Sequence, residues 1–361
     1  MKTLKNTALT LNISLHGAEL TSIRDSFGRE FLWQADPAFW KRHSPVLFPI
    51  VGSLWDKHFR VNGCEYEMGQ HGFARDMDFR LVSESDDEMW FELNSSPETL
   101  AKYPYEFTLR IGYRLEANKI HVMWEVSGDD SQTMWFQIGA HPAFYLPRFV
   151  YGGGSCVSGS DSGAGSCALG SECSVVRDSQ DSELKSSAQG SGCVSSDGSV
   201  SGSGSAGSGA DSDSGRAGRG CFRLYGRGAE GLVPLESFRY IKVSEKQCTD
   251  ISDVQELATP GGVMPLDDHT FDIGAYIIGD SQVSRVDLVS TTGLRCVSLE
   301  FDTPLVGLWA PSAKDVPFVC IEPWYGRCDR VGFTGDFSER DCVNSLSPGQ
   351  VFRASYTITI G

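Results

Sequence analysis

The sequence predicts an all-β fold in which a sandwich of short strands holds most of the chain. Three observations support this prediction. Short runs of β-branched and aromatic residues recur about every ten residues, several of these runs alternate apolar and polar side chains, and no long stretch has the 3.6-residue period of a helix. Although 361 residues are enough for two or three ordinary domains, large all-β folds often form a single unit of this size.

The N-terminal part of the chain carries the first group of predicted strands. In Lys119–Val126 one face is apolar and the other mixed, as in a strand that covers a core. The turn Val61-Asn62-Gly63-Cys64 is typical of a hairpin, because Asn and Gly tolerate the backbone angles that tight turns require. Pro37–Lys41 and Pro97–Ala101 are short helical candidates. The predicted strands are Leu9–Leu15, Phe59–Val61, Phe79–Val82, Met89–Leu93, Phe107–Leu115, Ile120–Val126 and Met134–Ile138.

The composition changes abruptly between residues 152 and 220. More than half of these residues are Gly or Ser, and none is aromatic. Such a segment cannot bury enough apolar surface to offset its ordering entropy, so we expect it to be a disordered, low-complexity insertion. Its cysteines have irregular spacing and no neighbouring His, which disfavours a metal-binding or redox loop.

The β pattern resumes at Cys221. We interpret residues 1–151 and 221–361 as one β-sandwich domain interrupted by the insertion, because the entropy of closing a loop grows slowly with its length. The predicted strands of this second part are Phe238–Val243, Phe271–Ile278, Ser284–Val289, Arg295–Phe301, Leu305–Trp309, Phe318–Ile321 and Phe352–Ile360.

The net charge and the hydropathy of the chain disfavour some classes of binding partner. The formal net charge is −16, which disfavours a nucleic-acid partner because phosphate binding needs a basic face. Met1–Leu15 alternates apolar and polar residues, so it predicts a first strand rather than a secretory signal. No stretch is long and apolar enough to cross a bilayer. These features predict a cytoplasmic protein without a membrane partner.

The eleven cysteines do not indicate a disulfide framework, since their number is odd and no Cys-x-x-Cys pair occurs. Four of them lie in apolar, strand-like surroundings and are predicted to be buried free thiols. These are Cys64, Cys248, Cys296 and Cys320.

Two histidines lie in settings that suit a functional cleft. His71 belongs to the polar turn Gln70–Asp76 between two predicted strands. His141 follows the apolar strand Met134–Ile138, and Pro142 after it is expected to take the chain out of the sheet. A single histidine is more often a satisfied structural residue, so these settings alone do not assign a role.

Glu322 is the third candidate. It directly follows the predicted buried strand Phe318–Ile321, which Pro323 is expected to end. A carboxylate in this position is costly to bury unless it is paired or functional. The alternative to a functional role is a salt bridge to Arg327 or Arg330 that closes the loop.

Aromatic side chains beside these polar groups suggest a sugar as the ligand. Trp324 and Tyr325 follow Glu322 and offer faces on which the C–H face of a sugar ring can stack. The residues by themselves therefore predict an all-β protein that handles carbohydrates and possesses an acid–base pair. A non-catalytic sugar-binding protein stays open, and a glycosidase or lyase would need a second carboxylate in a setting like that of Glu322.

The order of these motifs resembles that of the aldose 1-epimerase (galactose mutarotase-like) family, and most closely its LacX-like bacterial branch. The resemblance covers Met1–Tyr151 and about Cys221–Gly361. Besides the segments around the two histidines and the glutamate, the matching motifs are Val46–Gly52, Leu299–Asp302 and Leu346–Gly349. The family's loop after the His-Pro motif is usually far shorter than the segment found here.

The resemblance implies a β-supersandwich and assigns a role to each candidate residue. His141 would protonate the ring oxygen of the sugar, and Glu322 would take the proton from the anomeric hydroxyl. His71 and Arg75 would bind the substrate, and Trp324 would form an aromatic wall for it. This chemistry needs no metal or cofactor. Asp272 is a tentative match to the family's substrate-binding aspartate.

Two substrate classes stay open. The His-Gly-Phe-Ala-Arg motif at residues 71–75 also resembles that of the hexose-6-phosphate mutarotase branch, in which arginines bind the phosphate. Lys41 and Arg42 would serve that purpose together with Arg75, or they would form a solvated edge. We favour an unphosphorylated small-molecule sugar as the substrate.

Overall fold

The structure, a computed structural model, describes residues 1–129, 132–147 and 219–361. These residues form an all-β fold, as predicted. The predicted insertion, including Cys156, Cys167, Cys173 and Cys193, lies outside the described residues apart from its last two positions. The division of the chain into one domain and an insertion therefore stays a prediction.

The described chain contains one short α-helix, five 3-10 turns and twenty-five strands. The helix, α1, is Pro97–Leu100, and the 3-10 turns are Trp55–Lys57, Ala74–Asp76, Glu245–Gln247, Pro260–Gly262 and Phe337–Glu339. The strands are β1 Lys2–Lys5, β2 Leu9–Ile13, β3 Leu20–Asp25, β4 Val46–Leu47, β5 His58–Val61, β6 Cys64–Glu67, β7 Arg80–Glu84, β8 Glu88–Asn94, β9 Phe107–Glu116, β10 Lys119–Gly128, β11 Met134–Phe136, β12 Ile138–Ala140, β13 Ala143–Tyr145, β14 Cys221–Gly228, β15 Gly231–Pro234, β16 Ser237–Val243, β17 Thr249–Ala258, β18 Val263–Pro265, β19 Tyr276–Ile278, β20 Arg285–Val289, β21 Arg295–Phe301, β22 Leu305–Trp309, β23 Phe318–Tyr325, β24 Asn344–Leu346 and β25 Val351–Ile360.

Two large antiparallel sheets form the sandwich. The ten-stranded sheet has the order β15-β14-β20-β21-β25-β10-β9-β8-β7, and β18 pairs with β14. The eight-stranded sheet has the order β17-β16-β19-β22-β23-β12-β4, and β13 also pairs with β23. Aromatic contacts join the two sheets, as between Tyr325 of β23 and Phe352 of β25, whose ring centroids are 5.2 Å apart. Both sheets thus bury one face in a common core.

Smaller sheets complete the described fold. They are the three-stranded sheet β1-β2-β3 and the pairs β5-β6 and β11-β24. In the β5-β6 hairpin, Asn62 and Gly63 have φ angles of 50° and 79°, so the predicted tight turn is confirmed. Within the described ranges, the structure has no helix long and apolar enough to cross a lipid bilayer.

Most predicted strands are present, with ends that differ from the prediction by no more than two residues. Four predictions differ by more. Pro37–Lys41 is not helical. Only the last part of Phe271–Ile278 forms a strand, because turns occupy residues 270–273. The predicted strand Met134–Ile138 is divided at Gln137 into β11 and β12, which pair with different partners.

The fourth difference is that β23 does not end at Pro323 but continues to Tyr325. Pro323 pairs with Val306 of β22 on one side. On its other side lies the interruption between β12 and β13, where His141 and Pro142 leave regular pairing. A proline is tolerated here because no regular ladder bond is required from its missing N–H.

The cysteine predictions are confirmed for three residues. Cys248, Cys296 and Cys320 are buried, and none of the three forms a disulfide. The prediction was wrong for Cys64, which is exposed. It is the first residue of β6, beside the turn of the two-stranded β5-β6 hairpin, where its side chain faces solvent.

Candidate active site

The predicted site residues come together around a cavity of about 400 Å³ on the eight-stranded sheet. Its walls include all five of the residues that the sequence indicated, namely His71, Arg75, His141, Glu322 and Trp324. They come from three separate parts of the chain, so only the fold brings them together.

Strand β23 places two of these side chains on the same face of the sheet. Glu322 and Trp324 are two residues apart, and side chains at this spacing in a strand share a face. Trp324 lies across two glycines of neighbouring strands. A Cβ added to Gly139 or to Gly307 would lie 2.5 Å from an atom of the indole ring. The absence of side chains at these two positions therefore makes room for the tryptophan.

His141 is held beside Glu322 by the interruption between β12 and β13. Its backbone N–H donates to the carbonyl of Pro45 at 3.1 Å, and the N–H of Ala143 donates to the carbonyl of His43 at 3.0 Å. The chain thus leaves the sheet after Ala140, as the sequence predicted, but returns to it at once. This short excursion points the His141 side chain at the cavity.

His141 and Glu322 form a close, buried pair. Nε2 of His141 lies 3.2 Å from Oε2 of Glu322, and the two residues are 7% and 1% exposed. Neither His141 Nδ1 nor Glu322 Oε2 has a hydrogen-bond partner among the described residues. A buried polar atom without a partner is costly, so both groups are available for a ligand.

Burial opposes charge on both members of this pair. It lowers the pKa of His141 to about 3, and the positive charge of Arg75 acts in the same direction. It raises the pKa of Glu322 well above its ordinary value. Burial therefore favours the uncharged form of both side chains, in which Glu322 carries a proton. The pair holds one proton that either member can carry.

His71 has a defined tautomer. Its Nδ1 accepts a hydrogen bond from the backbone N–H of Gly52 at 3.1 Å, so the ring proton lies on Nε2. Burial, followed by the charge of a protonated His141, lowers its pKa well below the ordinary value. Its ring centroid is 5.6 Å from that of His141. His71 is therefore a neutral hydrogen-bond donor near the acid–base pair.

Arg75 is the only Lys or Arg among the described residues that line this cavity. Its Nη2 donates to the carbonyl of Gln70 at 2.7 Å, while its Nε has no hydrogen-bond partner within the described ranges. Lys41 and Arg42, the other two candidates for binding a phosphate, do not line the cavity. Arg42 instead forms an ion pair with Asp76 at 2.9 Å.

Two further tryptophans contribute to the site and were not indicated by the sequence. The Trp40 ring stacks on His141 with centroids 4.7 Å apart, and Trp309 meets His141 edge-on at 5.4 Å. Trp309 is the last residue of β22, next to the strand that carries Glu322. This position at a strand end is a signal from which the sequence could have indicated Trp309 as a site residue. Trp40 lies in an irregular segment and carries no such signal. Tyr325 points to the opposite face of β23 and does not line the cavity.

A buried polar network supports the segment that carries Gly52. Arg340 Nε donates to Asp329 at 2.6 Å, and its Nη1 donates to the side-chain oxygen of Gln137 at 3.0 Å. The same Gln137 oxygen accepts from the backbone N–H of Val51, and Asp329 accepts from that of Trp55. These charged and amide groups therefore position residues 51–55, which hold the backbone donor to His71.

Two alternatives considered from the sequence are not supported by the geometry. Glu322 makes no salt bridge to Arg327 or Arg330, because both arginines pair with Asp341 instead. Asp272 does not line the cavity. Its carboxylate accepts hydrogen bonds from His269 and Ser312.

One group of described residues near the cavity has the composition of a metal site. Ligand atoms of His141, Cys320 and Glu322 all lie within 4.8 Å of one another. Cys320 precedes Glu322 by two residues and shares its face of β23. Nitrogen, sulfur and carboxylate oxygen suit Zn²⁺ best among common divalent ions. Such an ion would bind to His141 and Glu322, the two groups that share the proton.

The first part of the chain has recognised relatives. Residues 1–153 match the model of the family described as aldose 1-epimerase. Over 150 residues the chain is 39% identical to the chromosomal and plasmid LacX proteins of Lactococcus lactis subsp. lactis, which covers 40% of this chain and 50% of each relative. The chain thus spans about half the length of the curated relatives it matches.

The chain is similar to solved protein structures over a greater length than to the LacX sequences. An X-ray structure of a galactose mutarotase related enzyme from Lactobacillus acidophilus has a TM-score of 0.73 and 26% identity, covering 100% of this chain and 97% of that one. A galactose mutarotase-like protein from Lactobacillus casei has a TM-score of 0.73 and 24% identity, covering 100% of both chains.

The fold is therefore that of the galactose mutarotase-like proteins. More closely, residues 1–153 match the model of the aldose 1-epimerase family and are similar to the LacX proteins. The resemblance inferred from the motifs is confirmed. The matched region contains His71, Arg75 and His141 but ends before Glu322 and Trp324, so the case for these two residues rests on geometry.

Proposed function

We propose that the protein is an aldose 1-epimerase that interconverts the α and β anomers of a free aldose, with His141 and Glu322 as its acid–base pair. Family and fold support a mutarotase-like function with a small-molecule sugar. The observation that carries the proposal is the buried His141–Glu322 pair, 3.2 Å apart, which faces a cavity with unpartnered polar atoms.

Ring opening requires a proton on one oxygen of the anomeric carbon and removal of a proton from the other. Transfer of the shared proton from Glu322 to His141 creates an imidazolium and a carboxylate without changing the net charge of the pair. His141 then protonates the ring oxygen while Glu322 takes the proton of the anomeric hydroxyl, and the C1–O5 bond breaks to give the aldehyde. Rotation about C1–C2 and reclosure from the other face yields the opposite anomer.

The remaining residues of the cavity bind and orient the sugar. The Nε2–H of His71 donates to an oxygen close to the reacting centre, since its ring lies beside that of His141. Arg75 donates to substrate hydroxyls through its Nε, which makes no hydrogen bond within the described residues. Trp324 supplies an apolar wall for the C–H face of the ring. We place this activity in the cytoplasm, as the sequence predicted.

Polarimetry tests the proposal directly. Wild-type protein should accelerate the mutarotation of fresh α-D-glucose or α-D-galactose. Glu322→Gln and His141→Gln should each lower kcat/KM on the order of 100-fold or more, because general acid–base groups typically contribute that much. His121→Gln is the matched control, since His121 lies on β10 of the other sheet and should leave the rate unchanged.

The other outcomes separate the alternatives that the sequence left open. Acceleration with glucose 6-phosphate but not with free sugars would replace the proposal by a hexose-6-phosphate mutarotase. Sugar binding without acceleration of any of the three would indicate a non-catalytic sugar-binding protein. Full activity in both site variants would contradict the assigned roles.

A further inference from the structure

Cys320 is a buried thiol that the proposed mechanism does not use. It precedes Glu322 by two residues on β23, so both side chains project from the same face of that strand. Cys320 pairs with Ala143 of β13, which lies two residues after His141. The thiol therefore lies against the acid–base pair, although Cys320 does not itself line the cavity that the pair faces, which we call the catalytic cavity.

The acid–base pair has the spacing of two ligands of a tetrahedral metal ion. Nε2 of His141 lies 3.2 Å from Oε2 of Glu322. Zn²⁺ binds nitrogen and carboxylate oxygen at about 2.0 Å, so two such ligands of a tetrahedral ion are about 3.3 Å apart. The pair therefore needs almost no rearrangement to hold a zinc ion.

The thiol of Cys320 is close enough to be a third ligand. The ligand atoms of His141, Cys320 and Glu322 all lie within 4.8 Å of one another. With a Zn–S bond of about 2.3 Å, sulfur lies about 3.5 Å from the other ligand atoms of a tetrahedral site. A relative displacement of roughly 1.3 Å at most would therefore complete the third bond.

The chemistry of the site compensates for burying a cation. Glu322 is 1% exposed, and its Oε2 has no hydrogen-bond partner among the described residues. Zn²⁺ would satisfy this oxygen and displace one proton from Glu322 and one from Cys320. The ion, one carboxylate and one thiolate are neutral together, so burial opposes the complex far less than a bare cation. The fourth position of the ion would take a water from the catalytic cavity.

We propose that His141, Cys320 and Glu322 form an inhibitory zinc site. Bound Zn²⁺ takes the imidazole nitrogen and the carboxylate that the acid–base reaction requires, so the sugar cannot react until the ion leaves. Nitrogen and sulfur ligands select Zn²⁺ over Mg²⁺, which binds to oxygen ligands. The inhibition rests on the proposed mutarotase function, whereas the binding of the metal does not.

The kinetic experiment adds Zn²⁺ to metal-free protein and measures the mutarotation of α-D-glucose, after subtraction of the rate without protein. Zn²⁺ should inhibit the wild type, and a chelator should restore the rate. Because ion and sugar need the same two groups, Zn²⁺ should raise KM and leave kcat unchanged. Mg²⁺ at the same concentration should not inhibit. A wild-type rate that does not respond to Zn²⁺ would overturn the proposal.

Cys320→Ala separates this site from zinc binding elsewhere on the chain. The Zn²⁺ concentration that halves the variant's own metal-free rate should rise at least about 10-fold, since even partners of metal ligands change affinity by that much. Cys296→Ala is the matched control, because Cys296 is equally buried but belongs to β21 of the ten-stranded sheet. Cys320→Ser, closer in size to cysteine, replaces Cys320→Ala if that variant does not fold. Equal shifts in the Cys320 and Cys296 variants, or no shift in either, would contradict the site.

Co²⁺ tests the metal site without mutarotase activity. Cobalt occupies tetrahedral zinc sites and gives an ultraviolet charge-transfer band when a thiolate is its ligand. The band of the wild type should be weakened in Cys320→Ala and in Glu322→Gln but kept in Cys296→Ala. If the wild type accelerates no sugar and the bands behave in this way, the metal site is supported and the proposed function fails. An equal band in Cys320→Ala and wild type would reject the metal site, whatever the activity.

Discussion

Two ionisable residues of the site are buried, although burial disfavours their charged forms. His141 and Glu322 are almost completely enclosed, yet each has a polar atom without a hydrogen-bond partner among the described residues. The tryptophans around His141 exclude water, which is why the pKa of His141 falls and that of Glu322 rises. An arrangement of this kind lowers stability and provides groups that can exchange a proton with a ligand.

This cost predicts a pH-dependent stability difference between wild type and Glu322→Gln. The pKa of Glu322 is higher in the folded protein than in the unfolded chain, so between the two values the folded state binds more protons. The contribution of Glu322 to wild-type stability therefore decreases as pH rises above about 4.5, by up to about 1.4 kcal/mol for each pH unit. Glu322→Gln lacks this loss, so its Tm relative to wild type should be higher at pH 8 than at pH 5.

Differential scanning calorimetry at several pH values measures this difference. Glu230→Gln is the matched control, since it makes the same substitution at an exposed position in the turn between β14 and β15. A difference between Glu322→Gln and wild type that stays constant from pH 5 to pH 8 would contradict a buried, neutral Glu322.

At the scale of elements, the site depends on how β22, β23 and β12 pair. Glu322 lies opposite Gly307 of β22, and Trp324 lies opposite Gly139 of β12. The glycines leave a shallow channel that the Trp324 ring fills, and the ring then forms a wall of the catalytic cavity. The register of three strands thus determines the shape of the cavity.

Gly307→Ala tests this arrangement. The new methyl group would lie 2.5 Å from the indole of Trp324, so the ring must shift. Overpacking of this kind costs roughly 1–3 kcal/mol, and we expect a lower Tm together with a changed near-ultraviolet circular dichroism signal from tryptophan. Gly279→Ala is the matched control, because its methyl group would meet only Leu305 at an ordinary 3.9 Å. An unchanged Tm and spectrum in Gly307→Ala would show that Trp324 does not lie where we describe it.

At the scale of the whole molecule, the described residues on either side of segment 148–218 contribute to one core between the two large sheets. Pro147 and Gly220 flank this segment, and a Cβ on Gly220 would lie 3.5 Å from Pro147. The backbone of Gly220 also accepts a hydrogen bond from Leu266, and Cys221 pairs with Val289 of β20. The described ends of the chain are therefore close enough for a short connection.

Replacing residues 148–218 by a four-residue Gly-Ser linker should preserve the fold. Shortening the loop removes entropy from the unfolded chain, so stability should stay the same or rise by about 2 kcal/mol at most. Chemical denaturation of both chains measures this change, and the mutarotation rate should also be retained. A shortened chain that fails to fold would show that the replaced residues contribute to the β-sandwich.

Much of the fold could be predicted because strands have a simple local signature. Arg295–Phe301 and Leu305–Trp309 were predicted with the observed bounds, since alternation and β-branched residues depend on neighbouring positions alone. The prediction that Pro323 ends its strand was wrong because the position of a proline in a sheet depends on the neighbouring strand. Only the last part of Phe271–Ile278 forms a strand, since Phe271 is buried in a turn.

The sequence by itself determined the β class, the turn at Asn62-Gly63, and the residue types of an acid–base site, because each of these is encoded in short stretches of chain. Only the tertiary structure decided that His141 and Glu322 lie 3.2 Å apart and that Trp40 and Trp309 pack against His141. It also decided that Arg42 forms an ion pair with Asp76 and does not line the cavity. Distances between residues far apart in the sequence depend on strand register and sheet packing, which arise from the sum of many contacts across the core.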